Sequence, residues 1–226
     1  MIASLVGSEM CIRDRPIRAD SKLVRVPING IYQIKGVGDV ITGRIEQGIL
    51  RPNDIVGVVP RKLSGLKVFS IEMHHKMVSQ ALPGDNVGIN IKGLDKKNMP
   101  KVGDVIYIQK ENILRPVKEF RAQVAVQEHP GQLKVGYSPL IHVRTAKASC
   151  KMTQILWKTN KKSGGQKIES PPFLEAGDAA EVVFEPKQGF YLESYDNCPG
   201  IGRIAVMDSN QLAMMGKVLE VEYETN

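Results

Sequence analysis

Short runs with strand-like alternation, separated by turn residues, recur along most of this 226-residue chain. The dipeptide Gly-Asp stands directly before three such runs, at Gly84-Asp85, Gly103-Asp104 and Gly177-Asp178. Short strands at regular spacing with turn residues between them are typical of β-sandwiches and barrels. No stretch keeps a helical period of apolar residues for longer than about two turns. The pattern therefore predicts an all-β protein.

The chain divides near Pro116, where a charged stretch without a strand pattern ends and clean alternation restarts. Its length suits two domains of ordinary size. We therefore expect two consecutive antiparallel β-barrels, over residues 16–115 and 116–226. Residues 1–15, MIASLVGSEMCIRDR, fit neither barrel and lack the features of a secretion signal, so we interpret them as an unassigned, extraneous start.

The same pattern places individual strands. LVRVPI (23–28) and IYQI (31–34) are predicted as two strands joined by a tight turn at Asn29-Gly30, because Asn-Gly favours such turns. The run IKGVGDVITGRIEQG (34–48) is predicted as one long, bent strand. Its glycines indicate a β-bulge, a barrel corner or the close approach of another group. LIHVRTA (140–146) is predicted as a further strand.

The charges of the chain are unevenly distributed. Residues 16–115 contain 16 Lys and Arg against 9 Asp and Glu, whereas residues 116–226 contain 13 of each kind. RNA would be attracted to the first half, although a solvated basic face is an equally good interpretation. Three irregularly spaced cysteines favour a reducing compartment, so we expect a cytoplasmic protein. No apolar run approaches the roughly 18 residues of a membrane span, so no membrane partner is expected.

The sequence offers no motif for catalysis or cofactor binding. A GxxxxGK[ST] phosphate loop is absent, and Gly36-Val37-Gly38 lies inside a strand pattern, unlike the glycines of a dinucleotide fingerprint. His74 and His75, if on a strand, would point to opposite faces, which is poor geometry for a shared metal ion. We therefore expect no enzyme activity, cofactor or metal in this chain.

Several segments resemble translation elongation factor 1 alpha and its bacterial counterpart, elongation factor Tu. VGDVITGRIEQGIL (37–50), IEMHH (71–75) and PGDNVG (83–88) are similar to the second domain of that family. HPGQLKVGYSPLIHVRTAKASCK (129–151) and FLEAGDAAEVVFEP (173–186) are similar to its third domain. The resemblance covers about residues 17–221 and implies two barrels in series.

The resemblance also implies a function and partners. KKSGGQK (161–167) and NCPGIGRIAVMDSNQ (197–211) are similar to the elongation factor-like protein that replaces the ordinary factor in some protists. In the intact family an N-terminal GTPase domain binds GTP and magnesium, so this chain is expected to be a truncated product or partial gene model. The family delivers aminoacyl-tRNA to the ribosome and works with a nucleotide exchange factor. The alternative is a release-factor or ribosome-rescue paralogue, whose barrels bind a tRNA-mimicking protein.

By resemblance, three residues of the first barrel receive the 3′ end of aminoacyl-tRNA. Ile34 and Val40 would be the walls of a slot for the terminal adenine, and Glu72 would face the terminal ribose or base. Proteins recognise unpaired RNA ends by stacking and by hydrogen bonds to base edges, and a carboxylate can accept a hydrogen bond from a ribose hydroxyl.

Further residues around this slot match family positions. His75 would stack on or contact the ribose, or else be core or surface filler. Thr42 and Asn86 would lie near the aminoacyl group, although Asn86 could equally bond its own turn. Gly30, with Asn29 before it, stands where the family has an acidic residue that helps to hold the aminoacyl amine. The resemblance therefore leaves recognition of the amine in doubt.

In the second barrel, Gly136, Tyr137, Arg144 and Thr145 match the strand and loop region that contacts the backbone of the tRNA T-stem. Contacts to an RNA backbone position the nucleic acid without reading its sequence, and they weaken with salt. For Arg144 the alternative is a solvated strand face.

Overall fold

The structure, a computed structural model, describes residues 22–95, 98–110, 113–127, 129, 131–160, 166–209 and 211–225. The expected extraneous start, 1–15, lies outside the described residues. Sixteen β-strands and no helix are found within the described part of the chain. No membrane-crossing helix is therefore present among these residues. The all-β prediction is confirmed.

Seven strands belong to the first barrel. They are β1 (Val26–Ile34), β2 (Gly38–Arg44), β3 (Ile55–Val59), β4 (Leu63–Met73), β5 (Lys76–Val78), β6 (Asn86–Lys92) and β7 (Val105–Ile108). Six of them close in the order β3-β7-β1-β2-β6-β4, with β4 pairing back to β3, and β5 extends β4 as a hairpin. Alternation directs one side chain in two inward, so that Ile28, Ile41, Ile71 and Ile89 are fully buried.

The remaining nine strands build the second barrel. They are β8 (Val117–Val126), β9 (Leu133–Lys134), β10 (Leu140–Val143), β11 (Ala146–Thr159), β12 (Ile168–Glu169), β13 (Phe173–Leu174), β14 (Ala179–Pro186), β15 (Arg203–Asp208) and β16 (Gln211–Tyr223). The closed order is β10-β15-β16-β8-β14-β11, with β11 pairing back to β10. All strand pairings are antiparallel, which confirms the prediction of two consecutive antiparallel β-barrels.

Asn29 and Gly30 do not form the predicted turn. They lie inside β1, where the pairing with β2 shifts from Ile28 opposite Gly43 to Gly30 opposite Thr42. Asn29 is therefore the extra residue of a β-bulge. Turns and bulges both accept small, flexible residues, and the pairing with a neighbouring strand decides between them.

The run 34–48 is not the single bent strand that the sequence suggested. β1 ends at Ile34 and β2 begins at Gly38, with a turn between them. Gly36 and Gly38 have φ angles of 82° and 104°, in the left-handed region that favours glycine. These glycines therefore reverse the chain instead of bending a strand.

Two further predictions are wrong because residues predicted on strands lie in hairpin turns. The strand predicted over 140–146 ends at Val143, and Arg144, with a φ of 53°, turns the chain into β11. His74 and His75 have φ angles of 51° and 61° in the β4–β5 turn, so neither lies on a strand. Both errors have the same cause. A two-residue hairpin turn can be formed by residues other than the Gly, Asn, Asp and Pro that usually mark a turn in a sequence.

The barrels are joined through a buried polar cluster. Arg25, just before β1, donates from Nε to Glu193 of the second barrel, and both residues are almost completely buried. Tyr191 Oη donates to Glu193 Oε1 at 2.6 Å, and Asn197 Nδ2 donates to the other oxygen. Burial alone would lower the pKa of Arg25, but Tyr191 and Glu193 together raise it. Arg25 is therefore held as a cation between the barrels.

Candidate nucleic-acid interface

Ile34 and Val40 lie on the outer face of the first barrel. Tyr32 pairs with Val40 across β1 and β2, and Ile34 follows Tyr32 by two residues. Paired residues and residues two apart share one face of a sheet. Tyr32 and Ile34 are 56% and 46% exposed, whereas Ile41, on the opposite face, is fully buried. The apolar walls predicted from the sequence are therefore accessible.

Glu72 is brought onto the same face by the strand register. Thr42 pairs with Gly88, and Gly88 pairs with Glu72 on β4. A Cβ placed on Gly88 would lie 3.4 Å from Val40 Cγ1, its nearest neighbour. The missing side chain leaves a shallow space above Gly88, bounded by Val40, Thr42 and Glu72, which we call the Gly88 hollow. Gly88 is a candidate site residue that was not predicted from the sequence, although its place in PGDNVG was a visible signal.

Ile34 on β1 is separated from Glu72 on β4 by strands β2 and β6, and the β1–β2 turn leans over the outer face beside Val40. Asn90 on β6 donates from Nδ2 to the carbonyl of Val37 at 2.8 Å, across the width of β2. Asn90 pairs with Val40 and so points outward, yet it is only 6% exposed. The contact bends the turn over the outer face, toward Val40. Asn90 was not predicted from the sequence, because only the folded turn reveals its partner.

The edge of the Gly88 hollow beyond Glu72 combines a carboxylate with apolar surface. Met77 on β5 lies directly opposite Glu72 and is 70% exposed. His75 Nδ1 is 3.7 Å from Glu72 Oε1, and the imidazole is fully exposed. An acceptor flanked by accessible apolar side chains suits a ribose hydroxyl and a base ring. His75 is thus close enough to Glu72 to contact the same ligand.

The neighbourhood of Gly30 differs from an acidic pocket. A Cβ on Gly30 would lie 2.8 Å from the Tyr32 ring and 2.9 Å from Thr42 Oγ1, so the ring covers this position. Asn86 pairs with Arg44 one row beyond Thr42. Asp85, and not Asn86, accepts the turn hydrogen bond from the backbone N–H of Leu82, at 2.9 Å. The direct cross-strand neighbour of Asn86 is thus a cationic residue, Arg44.

The four residues predicted in the second barrel form two separate groups. Gly136 and Tyr137 precede β10, whereas Arg144 and Thr145 follow it. Tyr137 Oη donates to Asp208 at 3.0 Å, and burial together with this bond raises the pKa of the phenol. The first group thus forms a structured loop on one end of the barrel.

Arg144 and Thr145 lie at the junction of the barrels. Arg144 Nη2 is 2.6 and 2.8 Å from the two carboxylate oxygens of Glu46, and Nε donates to the carbonyl of Gly200 at 3.1 Å. Thr145 Oγ1 donates to the carbonyl of Ile28 at 2.9 Å. These residues connect the barrels, a role that needs long-range contacts and that sequence analysis missed. RNA contact by all four residues stays a prediction.

Comparison with known families matches both barrels. Residues 38–107 match the family described as elongation factor Tu domain 2. Residues 119–219 match the family described as GTP-eEF1A C-terminal domain-like. The two matched regions fall on either side of the junction between β7 and β8.

Curated relatives of this chain are named elongation factor 1-alpha. Elongation factor 1-alpha of Serendipita indica is 37% identical over 207 residues, covering 92% of this chain and 44% of the relative. Elongation factor 1-alpha of Methanocaldococcus jannaschii is 41% identical over 199 residues, covering 88% of this chain and 46% of the relative. The chain thus spans about half the length of these relatives.

Solved structures of Sup35 share the fold. Sup35 complexed with GDP is 26% identical, with a TM-score of 0.80 over 91% of this chain and 48% of that chain. Sup35 complexed with GMPPNP has a TM-score of 0.84 over 95% of this chain and 52% of that chain, at 24% identity. The second likeness shows the fold alone.

Proposed function

Because this chain belongs to the family of elongation factor Tu and elongation factor 1-alpha, we propose that its first barrel binds the 3′ end of aminoacyl-tRNA. The chain would act as part of a factor that delivers aminoacyl-tRNA to the ribosome. The observation that carries this proposal is the Gly88 hollow, which places a carboxylate and an apolar wall around a glycine on an exposed sheet face.

The chemistry of the hollow suits an unpaired adenosine. Val40 offers an aliphatic wall, and the adjacent exposed Tyr32 and Ile34 add apolar area on the same face. Stacking of a base on an aromatic ring contributes about 1–3 kcal/mol, and Tyr32 supplies such a ring beside Val40. Glu72 can accept from a ribose hydroxyl, and a hydrogen bond to a charged group contributes about 1.5–3 kcal/mol. Together these contributions would distinguish an RNA end with an exposed adenosine from one without it.

The rest of the delivery function depends on parts that these residues do not supply. GTP and magnesium are cofactors of the intact family, but the sequence has no phosphate loop, and the described residues form no helix to follow one. The proposal therefore assigns the binding of GTP or magnesium to none of these residues. The ribosome and a nucleotide exchange factor are the further partners that the proposal implies, and the cytoplasm is the compartment.

Binding of acceptor-stem minihelices tests the proposal. One fluorescent minihelix ends in CCA-3′ and a second lacks the terminal adenosine. We expect the 226-residue chain to bind the first at least about tenfold more tightly, since one stacked base and one charged hydrogen bond are involved. Glu72→Ala and Gly88→Ala should each remove most of this difference, the first by losing the acceptor and the second by filling the hollow.

A matched carboxylate on the second barrel controls for charge. Glu222 is exposed and pairs with Lys118 far from the hollow, so Glu222→Ala should bind both minihelices as the unaltered chain does. Equal affinity of the unaltered chain for the two minihelices, or an unchanged preference in both hollow variants, would refute the assignment of the hollow.

The release-factor or ribosome-rescue alternative is favoured by one observation. Gly30 brings no carboxylate to the place where an aminoacyl amine would be held, and the Tyr32 ring covers that place. A paralogue that binds a tRNA-mimicking protein has no amine to recognise. In that case neither minihelix should be preferred, and a purified release factor should bind with an affinity that Gly88→Ala reduces.

A further inference from the structure

We propose that Lys67, Phe69 and Lys92 form a second RNA-binding surface on the first barrel, which takes a single-stranded phosphate backbone with one base stacked on Phe69. We call these three residues the Lys-Phe-Lys patch. All three are exposed in the structure.

The two lysines are direct neighbours of like charge. Lys67 on β4 pairs with Lys92 on β6, so their side chains leave the same face of the sheet. Like charges at directly opposite positions disfavour strand pairing. Throughout the described part of the chain, neither ammonium lies within ion-pair distance of a carboxylate. The barrel therefore presents two uncompensated cations side by side.

Phe69 adds an exposed aromatic ring beside Lys92. The pairing of β4 with β6 shifts between Val68 and Ser70, so Phe69 is the extra residue of a bulge and is 52% exposed. Lys92 Nζ lies 3.7 Å from the centroid of its ring. A cation–π contact at an exposed site is weak. A phosphate could therefore draw Lys92 away and uncover the ring for a base.

Charge and aromatic surface together favour RNA over an acidic protein segment. Positively charged grooves lined by aromatic rings bind single strands by stacking without regard to sequence. The whole positive surplus of the chain lies in residues 16–115, which contain this patch. Lys92 follows Asn90 by two residues on β6, so the patch continues the outer face that carries Val40. The inference does not depend on the Gly88 hollow.

Binding of a 3′-phosphorylated 12-nucleotide oligouridine tests the patch without an adenosine for the hollow. Lys67→Gln/Lys92→Gln should weaken binding about tenfold and reduce the slope of log affinity against log salt by about 1.4, the value for two phosphate contacts on a single strand. Phe69→Leu should weaken binding at least about fivefold through lost stacking, whereas Phe69→Tyr should bind as the unaltered chain does.

A charge-matched variant of the second barrel is the control. Lys187 and Lys217 are exposed there, so Lys187→Gln/Lys217→Gln removes the same charge and should leave the affinity and its salt slope unchanged. The ratio of the affinities for the minihelices with and without the terminal adenosine should stay unchanged in Lys67→Gln/Lys92→Gln, which separates failure of the hollow from failure of the patch.

Three outcomes would overturn the proposal. Equal losses in the two double-lysine variants would show a general effect of net charge. An unaltered affinity of Phe69→Leu would show that no base stacks on Phe69. Tighter binding of a polyglutamate peptide than of oligouridine would assign the patch to an acidic protein instead.

Discussion

Glu193, in the second barrel, is the buried carboxylate that pairs with Arg25 of the first barrel. It accepts hydrogen bonds from Arg25, Tyr191 and Asn197 while only 1% exposed. A buried ion pair contributes little compared with apolar residues of similar volume, but removal of one partner leaves an unpaired buried charge. The effect of a substitution in this ion pair on the free energy of unfolding thus depends on whether the opposite charge stays buried.

Arg25→Met should lower the free energy of unfolding by about 3–5 kcal/mol, because Glu193 then stays buried without its cation. Arg25→Met/Glu193→Met should recover much of this loss, since neither charge remains. Urea denaturation followed by tryptophan fluorescence measures both. Glu222→Gln, which breaks the exposed pair with Lys118, should leave the midpoint unchanged. A loss no larger in Arg25→Met than in Glu222→Gln would contradict the argument.

Cys150 and Cys198 are buried thiols with suppressed ionisation. Burial raises the pKa of Cys150 to about 12 and, together with Glu193, that of Cys198 to about 11. The thiolate is the reactive form, so only a fraction on the order of 10⁻³ or less is reactive at pH 8. Iodoacetamide at pH 8 should therefore leave both residues unlabelled in the folded protein and label both in 6 M guanidinium, as measured by peptide mass spectrometry. Labelling of either cysteine before unfolding would show that the interior is accessible.

Individual strands show which predictions local sequence can make. The turns at Gly84-Asp85 and Gly103-Asp104 were predicted because a turn there needs only its own residues, and β6 and β7 follow them directly. The bulge at Asn29 was not predictable, because it is defined by the register against β2. The contact of Asn90 with Val37 and the position of Arg144 at the junction also depend on residues distant in sequence.

Glycines in neighbouring strands should differ sharply in their tolerance of a methyl group. A Cβ on Gly43 would lie 2.7 Å from the carbonyl oxygen of Pro27, in the backbone of β1, and 2.8 Å from Val26 Cγ1. Gly43→Ala should therefore cost about 1–3 kcal/mol through overpacking. Gly88→Ala meets nothing closer than 3.4 Å and should stay within about 0.5 kcal/mol.

Thermal unfolding of the two variants under identical conditions distinguishes them. Similar melting temperatures for Gly43→Ala and Gly88→Ala would show that β1 and β2 can move apart. A strongly destabilised Gly88→Ala would also remove its use as a probe of the hollow. The comparison therefore links the packing of the sheet to the proposed binding site.

At the scale of the whole molecule, the sequence predicted two barrels and not the way they join. Val59, Val105 and Tyr107 belong to strands of the first barrel, yet they pack in the same apolar cluster as the core of the second. A Cβ on Gly103 would lie 2.7 Å from Ala146 Cα, so the backbones of the two barrels approach closely. The alternation of apolar and polar residues shows which side chains face the interior of a barrel and which face its outer surface. It cannot show which part of the outer surface is covered by the other barrel.

This shared interface leads us to expect one cooperative unfolding transition for the two barrels. Multidomain proteins commonly unfold in separate steps, but here partial unfolding would expose the shared apolar cluster and leave Glu193 without Arg25. Differential scanning calorimetry should give one peak with equal calorimetric and van't Hoff enthalpies. Arg25→Met/Arg144→Met removes two of the cationic contacts across the junction and should separate the peak into two. Two transitions in the unaltered chain would mean that the junction is weaker than its buried contacts indicate.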